Sequence, residues 1–145
     1  MGDIIRLNKD IGGQIREHKS RIICKDDGFN IFSPDWIRYN DDYTFEFVEV
    51  KEKTEKIGIY TNKWPYTGHG FEYSQFKRYM LFFKIHGIRT ILQIWDLSDH
   101  HLYEQYIDEL EKCTQEEKFI IHSKRDGKCI ISFPLEKFLD RGEFD

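Results

Sequence analysis

Two short segments carry the side chains best suited to chemistry, Ser33-Pro34-Asp35 and Glu49-Val50-Lys51. Positions two apart in a strand point to the same face, so Glu49 and Lys51 share a face with Phe45 and Phe47 while Val48 and Val50 face away. A carboxylate and an ammonium therefore end a face that begins with aromatics, a costly place for charge unless it is paired or bound to a metal. Asp35 to Tyr39 and Tyr43 to Lys51 read as two strands around the polar turn Asn40-Asp41-Asp42. A three-residue turn sets Asp35 diagonal to Glu49, about 7–8 Å away. A five-residue turn sets Asp35 directly opposite Glu49. A two-residue turn puts Asp35 on the wrong face.

Two carboxylates and a lysine suit phosphodiester hydrolysis. Hard oxygen ligands favour Mg²⁺ or Mn²⁺, which keep several waters when held by one or two carboxylates. The ion lowers the pKa of one such water and neutralises charge on the phosphate. Lys51 is placed to orient that water and stabilise charge developing on the phosphoryl oxygens. Gln75 and Tyr79, four apart, lie one turn apart on one face of the next predicted helix. There the glutamine can reach a water or a phosphate, and the tyrosine can stack on a base or brace the glutamine.

The surrounding elements read as follows. Apolar residues at Ile4, Leu7, Ile11, Ile15 and Ile22 predict a helix over part of 4–20, with Gly12-Gly13 near its start or at a break. Arg21 to Lys25 reads as a short strand and Asp26-Asp27-Gly28 as a turn. Residues 52–72 read as a long polar loop holding a strand at Ile57 to Thr61. The helix that follows is capped by Ser74, striped by Phe76, Tyr79, Met80 and Phe83, and closed by Gly87. Thr90 to Trp95 has the apolar run of a buried strand. Leu102 to Lys112 reads as a helix, Lys118 to His122 and Cys129 to Phe133 as a hairpin, and Leu135 to Leu139 as a short final helix. The fold class is α/β: a mixed central sheet in the order α-β-β-β-α-β, flanked by helices, with an α-β-β extension.

The 145 residues suit a single domain spanning 1–145. Twelve Phe, eight Tyr and three Trp argue against disorder. No run approaches a membrane span, and the N-terminus lacks a signal-peptide core. Three cysteines without a CxxC pair point to free thiols in a reducing cytosol. A net charge of −4 excludes a non-specific nucleic-acid coat but not a local basic groove. Lys63 and Trp64 in the 52–72 loop, with Lys77, Arg78 and Lys84 on the Gln75 helix, are the candidate nucleic-acid contacts. Asp99-His100-His101 has no second ligand pair at zinc spacing and reads as a helix start at the surface.

With Pro34-Asp35, Glu49-Val50-Lys51 and Gln75-x-x-x-Tyr79, the chain resembles the PD-(D/E)XK nuclease superfamily. Its nearest branches by motif are the VRR-NUC type and the RecB-type exonucleases with a QxxxY motif. The resemblance spans about residues 10–96 and includes Gly87-Ile88 before the last core strand. It implies a restriction-endonuclease-like core and a Mg²⁺- or Mn²⁺-dependent nuclease in which Asp35 and Glu49 bind the metal. Lys51 would assist the water, Gln75 and Tyr79 would line the site, and Glu17 on the first helix would be a further acidic ligand. The long 52–72 segment departs from these branches, and three cysteines do not make an iron–sulfur site.

The expected activity is hydrolysis of DNA in a bacterial or phage-infected cytoplasm, in recombination, repair, restriction or phage replication. A homodimer is compatible with this. The competing expectations are an RNA endonuclease and a non-catalytic nucleic-acid-binding or assembly module on the same fold.

Overall fold

The computed structural model describes residues 2–60, 65–123 and 127–145. Its chain divides into two compact units, Met1–Ser33 and Pro34–Asp145, where the sequence reads as one.

The first unit is built on one helix, α1 (Gly2–Asp26). The segment Arg21 to Lys25 is helical rather than a strand. Local β preference at Ile22 and Ile23 yields to continuation of the backbone ladder, which Asp27 closes by donating its N–H to the Ile23 carbonyl at 2.9 Å. Gly28, at φ 90°, then supplies the expected turn. The ladder also runs through Gly12 and Gly13, where an added Cβ would meet nothing within 4 Å.

The second unit holds two sheets. Strands β1 (Trp36–Tyr39) and β2 (Phe45–Lys53) form an antiparallel hairpin, followed by β3 (Ile57–Tyr60), β4 (Pro65–Glu72) and α2 (Tyr73–His86). Next come β5 (Thr90–Asp96), β6 (His101–Tyr106), α3 (Ile107–Gln115), β7 (Ile120–Ser123), β8 (Cys129–Pro134), a single 3₁₀ turn at Leu135–Lys137 and β9 (Leu139–Glu143). One sheet has the order β1-β2-β5-β6-β9, the other β3-β4-β8-β7. Only the β2–β5 pairing is parallel, so the first sheet is mixed. That pairing needs a long crossover, which β3, β4 and α2 supply. The class is therefore mixed α/β, as the sequence predicts.

Besides Arg21 to Lys25, and the expected final helix at Leu135 to Leu139, which is a single 3₁₀ turn running into β9, three local expectations change. First, within the 52–72 segment, expected as a loop holding one strand at 57–61, Glu52 and Lys53 end β2, and Ile57–Tyr60 and Pro65–Glu72 are two strands of the second sheet, with 61–64 outside the described residues. Its glycines are the reason for the misreading: a Cβ on Gly68 would stand 1.8 Å from the Phe133 carbonyl oxygen, and one on Gly70 2.2 Å from Ser132 Oγ. These residues let β4 approach β8 closely, a use of glycine that looks like loop composition. Second, Leu102 to Tyr106 is strand, and the helix begins only at Ile107. Third, α2 starts at Tyr73 without a side-chain cap, so Ser74 does not cap it, while Gly87 at φ 68° closes it as expected. The late hairpin forms as β7 and β8, with its apex at 124–126 outside the described residues.

From the register, Phe47, Glu49 and Lys51 share a face with Thr90, Leu92 and Ile94. On that face Phe47 meets Tyr79 and Phe82 of α2. Ile59, Leu92, Ile94, Ile131 and Phe133 are fully buried, each worth about 1.5–3 kcal/mol in burial. Cys24, Cys113 and Cys129 are unpaired. No described helix is long and apolar enough to cross a membrane.

Candidate active site

The β1–β2 hairpin decides the geometry. Tyr39 pairs with Phe45 and Trp36 with Val48, leaving five residues, 40–44, between the strands. This is the five-residue case, not the three-residue one. Continued by one step, the register places Asp35 opposite Glu49. The turn is locked by side chains: Asn40 Nδ2 donates to Thr44 Oγ1 at 2.9 Å, and the Thr44 amide and hydroxyl donate to Asp42 Oδ1 at 3.0 and 2.6 Å.

Asp35 and Glu49 occupy different environments. Asp35 is exposed, and its Oδ2 accepts a hydrogen bond from the Val50 amide at 2.7 Å. Glu49 is only 5% exposed. A carboxylate so enclosed needs partners for both oxygens. Tyr79 donates its hydroxyl to Oε2, and Lys51 Nζ lies 3.1 Å from Oε1. The phenol of Tyr79 is pushed well above its ordinary range by burial first, then by the hydrogen bond and charge of Glu49 and the charge of Asp35. It is therefore a fixed proton donor to Glu49 across the pH range of a folded protein.

The helix α2 supplies the opposite wall. Tyr79 is 2% exposed and packs in the core at a tilt against Phe47, so its hydroxyl is positioned by packing. Gln75, one turn earlier on the same side, has a buried Oε1 without a hydrogen-bond partner. Arg78 is close enough to Tyr79 to act on its charge. Asp35, Glu49, Lys51 and Tyr79 thus belong to one neighbourhood, the first three on the hairpin, and Gln75 stands one helical turn before Tyr79.

The other residues expected at the site fall into three groups. Glu17 belongs to the first unit, where it is exposed and accepts a 2.9 Å bond from Arg21 one turn on. The residues of the site described above all belong to the second unit. Lys77 and Lys84 point to the other side of α2, because they stand about 200° and 180° around the helix from Gln75. They line a groove of about 460 Å³ between α2, α3 and β7. There Lys77 Nζ sits 4.7 Å from the Tyr73 ring centre and Lys84 pairs with Glu111 at 3.4 Å. Lys63 and Trp64 lie outside the described residues.

A second polar cluster joins the two sheets. His69 and Asp96 are both fully buried, with Nε2 and Oδ2 2.7 Å apart, joining β4 of one sheet to β5 of the other. Lys56 Nζ bridges Asp96 at 2.9 Å and Asp99 at 2.7 Å, and Tyr103 donates to Asp99 at 2.5 Å. Burial opposes charge on Asp96, yet bonds from Ser98, Lys56 and His69 outweigh it and hold the carboxyl well below its usual range. Burial likewise holds the His69 imidazole below its usual value, against the pull of Asp96. A histidine set between glycines gave little sign of this role. Asp99 and His101 flank the turn into β6 rather than opening a helix; His101 Nδ1 pairs with Asp140 at 2.9 Å.

Among the described residues, no three His, Cys, Asp or Glu side chains converge as a metal site. The donor set at Asp35 and Glu49 fits a different pattern. Mg²⁺ and Mn²⁺ are held by one or two carboxylates with water and phosphate completing the shell. Two carboxylates across a strand pair are hard oxygen donors of that kind, and the buried, unpartnered amide oxygen of Gln75, one turn before Tyr79, is another. Compared with family models, curated proteins and solved structures, the chain matches none.

Proposed function

We propose that the second unit is a nuclease that hydrolyses DNA phosphodiester bonds with a divalent ion at Asp35 and Glu49. The observation that carries this is the placement of Asp35 opposite Glu49, with Lys51 one pleat along the same face. The motif resemblance to PD-(D/E)XK nucleases supports the same reading, including a restriction-endonuclease-like arrangement of the β1–β2 hairpin, α2 and β5.

In this reading the ion, when bound, supplies an acidified water and charge neutralisation at the phosphate. The Val50 amide fixes one oxygen of Asp35 and leaves the other free to act as a ligand. Tyr79 holds Glu49 in one orientation through Oε2 and keeps its proton. Lys51 is displaced from Glu49 Oε1 towards the phosphate, where its ammonium stabilises the developing charge. Gln75 Oε1 accepts a proton-bearing water and orients it.

The test is cleavage of labelled DNA in Mg²⁺ or Mn²⁺ against EDTA, with Glu49→Gln as the paired variant. Metal-dependent cleavage by the native chain, lost in the variant with an unchanged near-UV circular dichroism spectrum, supports the reading. Binding of DNA without cleavage in either metal overturns it in favour of a non-catalytic module.

A further inference from the structure

We propose that the tip of the β1–β2 hairpin is a stacking platform for unpaired bases, which makes single-stranded DNA the substrate of the candidate site. This rests on the nuclease reading of Asp35 and Glu49 and specifies its substrate.

Tyr39 and Tyr43 are 70% and 80% exposed, yet their rings lie nearly parallel, 12° apart in plane and 6.1 Å between centres. Large aromatic rings are usually buried, and these two, stacked on one another and left in solvent, keep most of their remaining ring surface open to a further ring. Side chains alternate along β1, so Tyr39 shares the face of Asp35, about 13 Å along the strand. Ile37, between them on that face, is exposed as well. The platform is thus continuous with the carboxylate pair.

The backbone supplies a second observation. Tyr43 has φ 63°, the left-handed region that glycine or asparagine fills most easily. The bonds among Asn40, Asp42 and Thr44 impose that conformation, and the Tyr43 amide donates to the Asn40 carbonyl at 2.8 Å. Strain held in place by its surroundings marks a side chain required there. Here that side chain is a ring laid beside Tyr39.

The charge at the tip favours bases over phosphates. Asp41 and Asp42 stand between the two tyrosines in sequence and repel a phosphate backbone. A base has a neutral face to offer each ring, and such stacking tolerates any sequence. A duplex keeps those faces inside its own stack, and a single strand does not.

The test measures binding of the full chain to fluorescent oligo-dT and to a duplex of equal length, in EDTA so that no cleavage intervenes. The native chain is expected to bind the single strand more tightly, and to quench a 2-aminopurine placed in it through stacking. Tyr43→Gly suits the backbone and keeps a cooperative melt; it is expected to weaken single-strand binding at least ~5-fold. Tyr39→Ala is expected to do the same. Equal single-strand binding by native chain and Tyr43→Gly, or preference for the duplex, overturns the platform. Full-rate metal-dependent cleavage by Tyr43→Gly also overturns it and leaves the nuclease reading standing. Tyrosine-dependent binding with no cleavage by the native chain supports the platform and overturns the nuclease reading instead.

Discussion

The carboxylate of Asp35 accepts a 2.7 Å hydrogen bond from the amide of Val50, the residue between Glu49 and Lys51. This one contact ties the exposed acid at the start of the hairpin to the backbone that presents the buried acid and the lysine. It also explains why the site tolerates an exposed Asp35: the strand orients the carboxylate, and the core does not have to.

Lys51→Ala is expected to lower metal-dependent cleavage by about 10²–10³, the effect of losing one donor to developing charge. Single-turnover kinetics at saturating metal check this. A loss under tenfold would remove Lys51 from the chemistry.

Tyr79→Phe deletes the hydroxyl that serves Glu49 and leaves that carboxylate paired with Lys51. Hydrogen bonds to charged groups are worth about 1.5–3 kcal/mol, so urea melts should show a loss of that size. Added Mn²⁺ should recover part of it, because an ion bound only by the folded state stabilises by mass action.

Lys77→Glu and Lys84→Glu, singly or together, are expected to leave cleavage within about twofold of native, since both face the groove between α2 and α3. Initial rates at low salt, where surface charge acts most strongly, are the measurement. A large loss would place the DNA path on that side of α2.

Acid should destabilise the second unit. His69 is held below its ordinary value, so below about pH 6.5 the unfolded chain takes up a proton that the folded one refuses. Stability falls as pH drops through that window. Asp96 is also depressed and adds a loss below about pH 4, as pH falls towards its folded value. The half-buried His101, raised by Asp140, works the other way and loses its contribution as pH rises. Melts of His69→Asn between pH 5 and 7 should show a flatter decline than the native chain.

The motif residues were legible because each sat inside a strong local pattern. The alternation from Phe45 to Lys51 fixed the face of Glu49, and the stripe Phe76-Tyr79-Met80 fixed that of Tyr79. What stayed hidden was set by distant partners. Gly68 and Gly70 read as loop residues because nothing local reveals that β8 must pass against them. The span Leu102 to Tyr106 carries helical spacing, yet antiparallel pairing with β5 takes it into the sheet. The side of α2 on which Lys77 falls follows from helical geometry, since it stands about 200° around the helix from Gln75.

Whether Asp35 and Glu49 hold one divalent ion is decided by anomalous diffraction from crystals soaked in Mn²⁺. A peak is expected between the two carboxylates, and it should disappear in Glu49→Gln. Manganese density elsewhere, with none between Asp35 and Glu49, would contradict it.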